Sequence, residues 1–273
     1  MPRITLAANR TLSPQRDLDS FLALVTGAGI GAVEIRNDIP GREFADGTAA
    51  GDLAARLADA GVRVASINAL QRFNDWTPDR ASETEALCAY AAALGAPGIV
   101  MCPVIDANHG WSDAELAQKL RESLRKLAPI FGDHGITGLV EPLGMPESTL
   151  RRQDVAVAAI DDIDGWNSYA LCYDTFQYFR AGDDGFFPGR VALMHASGIT
   201  RTDLAPSALL EPDRGLVDAR DIAGNIAQIR RMIDAGYAGD VSLEPFDPLV
   251  QTAPDLDARL AASVGYMKAE LGL

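Results

Sequence analysis

Short apolar runs alternate along the chain with longer amphipathic segments. The runs are nearly continuous in apolar residues, which is typical of parallel strands covered on both faces. The longer segments, such as AAGDLAARLADAG, carry apolar residues at three- and four-residue spacing, and several end in glycine, a signal that stops helices. The pattern predicts eight strands, at residues 3–8, 31–36, 62–69, 97–104, 137–143, 169–175, 191–197 and 240–246.

This alternation predicts one α/β domain over residues 1–273, a single (β/α)8 TIM barrel, because no Pro/Ser-rich linker interrupts it. The competing fold, a doubly wound open sheet, usually has fewer strands and an exposed edge. The glycines of TGAGIGAVEI resemble a dinucleotide fingerprint, but they follow a helical run and lead into a strand, which is the reverse of that motif. Ser82 and Ser112 stand where helix N-caps are expected.

Composition and charge limit the kinds of binding partner that the sequence allows. Apolar residues make up 48% of the chain, which is enough for a sizeable core. The net charge of −14 argues against nucleic acid, whose binders need a basic face. We find neither a membrane-length apolar run nor a signal-peptide core, so the sequence predicts a soluble, cytoplasmic protein without a membrane partner. Cys88, Cys102 and Cys172 are odd in number without a CxxC spacing, which indicates reduced thiols.

Polar residues end four successive predicted strands. They are Glu141, Asp174, His195 and Glu244, and each interrupts an apolar run where the run stops. Glu141 and Glu244 are each followed by proline, which helps to end a strand. In a TIM barrel these strand ends meet at the active face, where three unpaired carboxylates would repel one another. The set therefore predicts one bound divalent cation, Mn²⁺, Zn²⁺, Co²⁺ or Mg²⁺, with all four side chains as ligands.

Further polar and aromatic residues are expected at the same face. Glu34 ends strand two, Asn68 ends strand three, and Phe73, Trp111 and Arg201 follow strands three, four and seven. Aromatic rings beside polar groups suit a small polyol, whose C–H faces pack while its hydroxyls form hydrogen bonds. Packing of the rings over the barrel rim explains the aromatic residues equally well.

Several sequence blocks together resemble a known family. In order they are GAVEIRND, INALQRFND, VEPLGMPEST, YDTFQYFRAG, LMHASGITR and VSLEPFDP, and they extend over nearly the whole chain. They are similar to the xylose-isomerase-like TIM-barrel family of sugar isomerases and epimerases. Within that family the nearest likeness is to the inosose (2-keto-myo-inositol) isomerases of inositol catabolism.

The resemblance implies a mechanism and residue roles. Glu141 and Glu244 would act as an acid/base pair as well as metal ligands, and Arg201 would contact a substrate oxygen. The implied reaction is metal-dependent isomerisation of a keto-polyol, with proton transfer through a cis-enediolate. Gln177 departs from the pattern, because many relatives carry histidine there. Glutamine can hydrogen-bond a substrate hydroxyl but cannot carry a proton.

Other functions stay open at this level. A ketose 3-epimerase or a hydroxypyruvate isomerase would use the same metal ligands. A metal-free binding or regulatory barrel, or a dehydratase-like relative, is the alternative outside this reaction class. An endonuclease IV-like enzyme is disfavoured, because its metal cluster needs more than the three histidines present and its substrate needs a basic face. The sequence is compatible with a homo-oligomer.

Overall fold

The eight predicted strands form a closed parallel barrel in the order β1 to β8. The computed structural model describes residues 4–273, so Arg3, where the first predicted strand begins, lies outside the described residues. The single (β/α)8 fold is confirmed. The strands are β1 (Thr5–Asn9), β2 (Ala32–Arg36), β3 (Arg63–Leu70), β4 (Gly98–Met101), β5 (Thr137–Val140), β6 (Tyr169–Asp174), β7 (Val191–Ala196) and β8 (Asp240–Leu243).

Strands β4, β5 and β8 end earlier than the sequence predicts. Pro103, Pro142 and Pro245 each lie two residues beyond the last position of these strands. Proline has no N–H to donate to a neighbouring strand, so regular pairing stops before it. As a result Glu141 and Glu244 lie just beyond their strands, at the carboxyl-terminal mouth of the barrel.

The helices surround the barrel, and their ends follow local capping chemistry. Ser112 caps α4 in a capping box with Glu115, as predicted. Ser82 instead lies inside α3, because Thr77 caps that helix and Pro78 opens it. The helices are α1 (Leu18–Gly27), α2 (Ala50–Asp59), α3 (Pro78–Leu94), α4 (Asp113–His134), α5 (Gln153–Asp161), α6 (Thr175–Ala181), α7 (Asn225–Asp234), α8 (Pro248–Gln251) and α9 (Leu256–Leu271).

The main hydrophobic core lies between the strands and the helices, and a smaller one fills the barrel. Alternate strand residues point inward, so Leu139, Leu193 and Val100 pack together within it. All three cysteines are buried and free, as the sequence predicts. Within residues 4–273, no helix is both long and apolar enough to cross a membrane.

A long connection, residues 197–224, returns across the barrel mouth between β7 and α7. Gly198 and Gly215 exchange two backbone hydrogen bonds there, at 2.9 and 2.8 Å. A Cβ on Gly198 would lie 2.2 Å from the carbonyl oxygen of Leu216, so only glycine fits. This close pairing places Arg214, the residue before Gly215, at the centre of the barrel mouth.

Candidate metal centre and substrate cavity

The four predicted metal ligands converge at the barrel mouth. One donor atom from each of Glu141, Asp174, His195 and Glu244 lies within 4.8 Å of the other three, and all four residues are buried. They come from adjacent strands, β5 to β8, so the closed barrel sets their spacing. The sequence-derived ligand cluster therefore exists as a compact group of oxygen and nitrogen donors.

The His195 imidazole lies at the centre of this cluster. Its Nδ1 lies 2.9 Å from Glu141 Oε1 and 3.2 Å from Glu244 Oε2, and its Nε2 lies 3.2 Å from Glu34 Oε2. Burial alone would lower the pKa of His195, but the neighbouring Cys172 and the three carboxylates raise it well above its ordinary value. The surroundings therefore favour the protonated ring, in which each nitrogen can donate to a carboxylate.

The environment of Glu244 holds it as a carboxylate. Its Oε1 accepts hydrogen bonds from Asn9 Nδ2 at 3.1 Å and from Asn68 Nδ2 at 3.2 Å. Burial would raise its pKa, but His195 and then Arg214 lower it to about 2. Glu244 is thus ionised at any pH at which the protein would be assayed.

Asp174 is shifted in the opposite direction. Burial raises its pKa to about 7, Arg214 opposes the shift, and the Glu141 and Glu244 charges add to it. Its Oδ1 also caps α6, since it accepts from the backbone N–H groups of Phe176 at 2.7 Å and Gln177 at 3.2 Å. The ligand position is therefore fixed by the start of a helix.

The donor set fits a divalent cation. Three buried carboxylates and an imidazole match the preferences of Mn²⁺, Zn²⁺, Co²⁺ and Mg²⁺ to different degrees. Glu141, Cys172 and His195 form a second donor grouping. Burial raises the pKa of the Cys172 thiol well above its ordinary value, however, and a thiol must lose its proton to bind a metal. The four-residue set is the better candidate.

A cavity of about 130 Å³ opens beside this cluster, and Glu141 and Glu244 both line it. Asn68, Gln71, Gln177 and Glu211 contribute polar groups, whereas the apolar part of the lining includes Ile105, Leu143, Met145 and Phe246. A larger cavity of about 460 Å³ lies beside α9, and none of the four candidate ligands lines it.

Residues 22–269 match the family model described as xylose isomerase-like TIM barrel. The chain belongs to this family. No curated protein sequence matches it significantly.

Solved structures with the same fold include other xylose isomerase-like barrels. A xylose isomerase domain-containing protein from Salmonella typhimurium LT2 is 25% identical, with a TM-score of 0.87 over 98% of this chain and 97% of that chain. The IolI protein, solved with a bound zinc atom, is 18% identical, with a TM-score of 0.86 over 98% of each chain. D-psicose 3-epimerase from Clostridium cellulolyticum H10, solved with D-tagatose, is 16% identical, with a TM-score of 0.74 over 98% and 99%. For the two structures that are less than 25% identical, the likeness establishes the fold alone.

In this xylose isomerase-like barrel, two of the predicted substrate contacts line the cavity. Asn68 does so while it donates to Glu244. Gln177 lines it as well, but both ends of its amide are occupied: Oε1 accepts from Gly144 N at 2.9 Å and Nε2 donates to Glu211 Oε1 at 3.0 Å. Gln177 therefore connects the loops that follow β5 and β7.

The structure places the other four predicted contacts away from the cavity lining. Glu34 lies behind His195, where it accepts from Asn9 Nδ2 and Ser66 Oγ. Phe73 is fully buried in the core between barrel and helices. The Trp111 ring packs against the Lys119 ammonium group, and the exposed Arg201 pairs with Asp203 and Asp213.

In this xylose isomerase-like barrel, sequence reasoning missed three of the polar residues that contact Glu244. Asn9, the last residue of β1, obeys the strand-end rule and could have been found by it. Arg36 ends β2, and its Nη1 lies 3.5 Å from Glu244 Oε1. The sequence prediction had placed Glu34 at the end of this strand. Arg214 carries no local signal, because it lies in a long loop.

Glu34 is expected to orient His195 for metal binding, since it holds the ring nitrogen opposite the Glu141 side. Replacing Glu34 with glutamine should weaken Mn²⁺ or Zn²⁺ binding about 10- to 100-fold, measured by equilibrium dialysis. The control is Glu85→Gln, which removes an exposed carboxylate from His134 and should leave metal affinity unchanged. Equal affinity in Glu34→Gln and the parent protein would contradict this role.

Metal affinity is expected to increase with pH. Below about pH 7 a proton occupies Asp174, and His195, whose pKa is raised, is also protonated, so the metal must displace protons. Affinity should rise about tenfold per pH unit for each displaced proton. Calorimetric titration with Mn²⁺ across the neutral range measures this dependence, and a flat profile would contradict it.

Proposed function

We propose that this chain is a divalent-metal-dependent isomerase of a keto-polyol, with 2-keto-myo-inositol as the favoured substrate, in inositol catabolism. One observation carries the proposal. Four buried oxygen and nitrogen donors lie within 4.8 Å of one another, and two of them, Glu141 and Glu244, also line a cavity of about 130 Å³. The sequence blocks shared with inosose isomerases support the choice of substrate.

Each residue of the site has a separate role in the proposed isomerisation. A bound divalent cation would supply Lewis acidity that makes the C–H beside a substrate carbonyl easier to deprotonate. Glu244 is ionised and so enters the reaction as a proton acceptor. Glu141, whose Oε1 lies against the same His195 Nδ1 as Glu244, can pass a proton taken up from solvent to the adjacent carbon, while Glu244 releases the proton that it accepted, so that the reaction passes through a cis-enediolate. Asn68 and Gln71 can bond substrate hydroxyls, while Ile105 and Phe246 can pack against C–H faces.

The charges around the cavity favour an uncharged substrate. Its two arginines are already paired: Arg36 with Asp38 and Glu244, and Arg214 with Asp174 and Glu244. Among the described residues that line the cavity, no other lysine or arginine is present. A keto-polyol is therefore a better match than hydroxypyruvate, whose carboxylate would lie beside these acids.

A ketose 3-epimerase is the second candidate. The same two glutamates could remove a proton from one face of a carbon and return it on the other. The fold shared with an L-ribulose 3-epimerase and a D-psicose 3-epimerase supports this option.

We further propose a small-molecule substrate without a nucleic-acid or membrane partner. A cytoplasmic location suits the three free buried cysteines, and a homo-oligomer stays a prediction.

A substrate panel tests the proposal. Mn²⁺-loaded protein is incubated with inososes, ketohexoses, ketopentoses and hydroxypyruvate in D₂O, and proton exchange is followed by NMR. We expect an inosose to exchange fastest and to give an isomeric product. Conversion of a ketose to its 3-epimer at a higher rate would favour the second candidate. Protein that retains no divalent ion after reloading would instead be the metal-free binding barrel.

A further inference from the structure

Arg214 contacts two of the four candidate metal ligands. Its Nη2 donates to Asp174 Oδ2 at 2.6 Å and to Glu244 Oε2 at 2.8 Å. The residue is 2% exposed, and it comes from the connection between β7 and α7 rather than from a barrel strand. A permanent positive charge therefore lies directly against the metal-binding oxygens.

The guanidinium group is fixed in place on its other sides. Its Nε donates to Ser197 Oγ at 2.9 Å, and its Nη1 donates to Glu211 Oε2 at 2.6 Å. The ring centroids of Phe176 and Phe246 lie 5.1 and 4.7 Å from the guanidinium carbon Cζ. Withdrawing the group would leave several buried polar atoms unpaired, which is costly. A metal ion therefore has to bind beside Arg214 rather than replace it.

The buried charges indicate what this cation does. Glu34, Glu141, Asp174 and Glu244 are all buried and close to His195, whose ring three of them contact. One divalent ion with a neutral histidine would leave this group two charges short of neutrality. Arg214 and Arg36 are the cations that lie beside it, although each also pairs with a partly exposed carboxylate, Glu211 and Asp38 respectively. Arg214 also repels any cation that shares its two carboxylates.

We propose that Arg214 is a built-in counter-cation of the metal centre, which lowers the affinity for divalent ions and limits the site to one ion per chain. This inference rests on the proposed metal dependence of the function. It assigns Arg214 a role in metal affinity, not in contact with the substrate.

Mn²⁺ titration tests the role of this charge, with free Mn²⁺ monitored by electron paramagnetic resonance. The parent protein is expected to bind one equivalent. Arg214→Gln should bind Mn²⁺ at least about tenfold more tightly, because the repulsion is gone. Arg214→Lys keeps the charge but not the forked hydrogen bonds, so its Mn²⁺ affinity should lie closer to that of the parent than to that of Arg214→Gln. Arg214→Met, whose stem keeps the packing between the two phenylalanines, replaces the glutamine variant if that variant does not fold.

Arg10→Gln is the matched control. Arg10 is also a fully buried arginine, but it pairs with Glu43 and contacts none of the candidate ligands. This change should lower the melting temperature without changing the Mn²⁺ dissociation constant. Unchanged or weaker Mn²⁺ binding in Arg214→Gln, with one ion still bound by the parent protein, would overturn the counter-cation role alone. A parent protein that binds no Mn²⁺ would overturn both this role and the proposed function.

Discussion

Replacing Glu244 with glutamine is expected to leave a folded protein with almost no turnover. The side chain keeps its size, but it loses the charge that faces His195 and Arg214 and can no longer accept a proton. Loss of an acid/base group alone lowers kcat by about 10²- to 10⁴-fold. The measurement is kcat on the best substrate of the panel, with metal content determined on the same sample.

Glu43→Gln is the control for this change, because it neutralises a buried carboxylate that pairs with Arg10 outside the metal cluster. Its turnover should stay close to that of the parent protein. Near-normal kcat in a metal-loaded Glu244→Gln protein would contradict the assignment of Glu244 as an acid/base group. Loss of metal together with activity would leave Glu244 as a ligand without demonstrating proton transfer.

Replacing Phe73 with alanine is expected to cost about 3–5 kcal/mol of unfolding free energy. The ring is fully buried in the core between barrel and helices, so its removal leaves a cavity. Urea unfolding measures the loss. The KM of the protein that remains folded should be unchanged, because Phe73 does not line the substrate cavity.

Trp111→Ala provides the comparison, since this ring is only partly buried and packs on Lys119. It should cost about 1 kcal/mol, the scale of an exposed cation–π contact. If Phe73→Ala raised KM while stability stayed constant, the ring would be a substrate contact after all.

The residues that the sequence located correctly are those whose position follows from strand periodicity. Glu141, Asp174, His195 and Glu244 each stand at the carboxyl end of an apolar run, and a closed barrel must bring such ends together. The same rule, applied with the two-residue alternation of a strand, explains Glu34. It points inward two residues before Arg36, so it lies one layer deeper and supports His195 instead of reaching the cavity.

Loop residues were not predictable in this way. Arg201 and Arg214 lie in the same connection, and no periodicity distinguishes the one that turns inward. The choice depends on the paired backbones of Gly198 and Gly215, a contact between distant residues that a local pattern cannot show. Phe73 has a similar explanation, because an aromatic residue after a strand can close the core or border a cavity, and only packing decides.

Asp174 belongs both to the start of α6 and to the candidate metal centre, so the two move together. Its Oδ1 accepts from the backbone of that helix, while its Oδ2 accepts from Arg214. Attempts to re-engineer the substrate loops by lengthening, shortening or rotating α6 would therefore tilt a candidate metal ligand at the same time. The loop that follows Glu141 is tied to the same helix by the hydrogen bond from Gly144 N to Gln177 Oε1, so it would move with α6 as well.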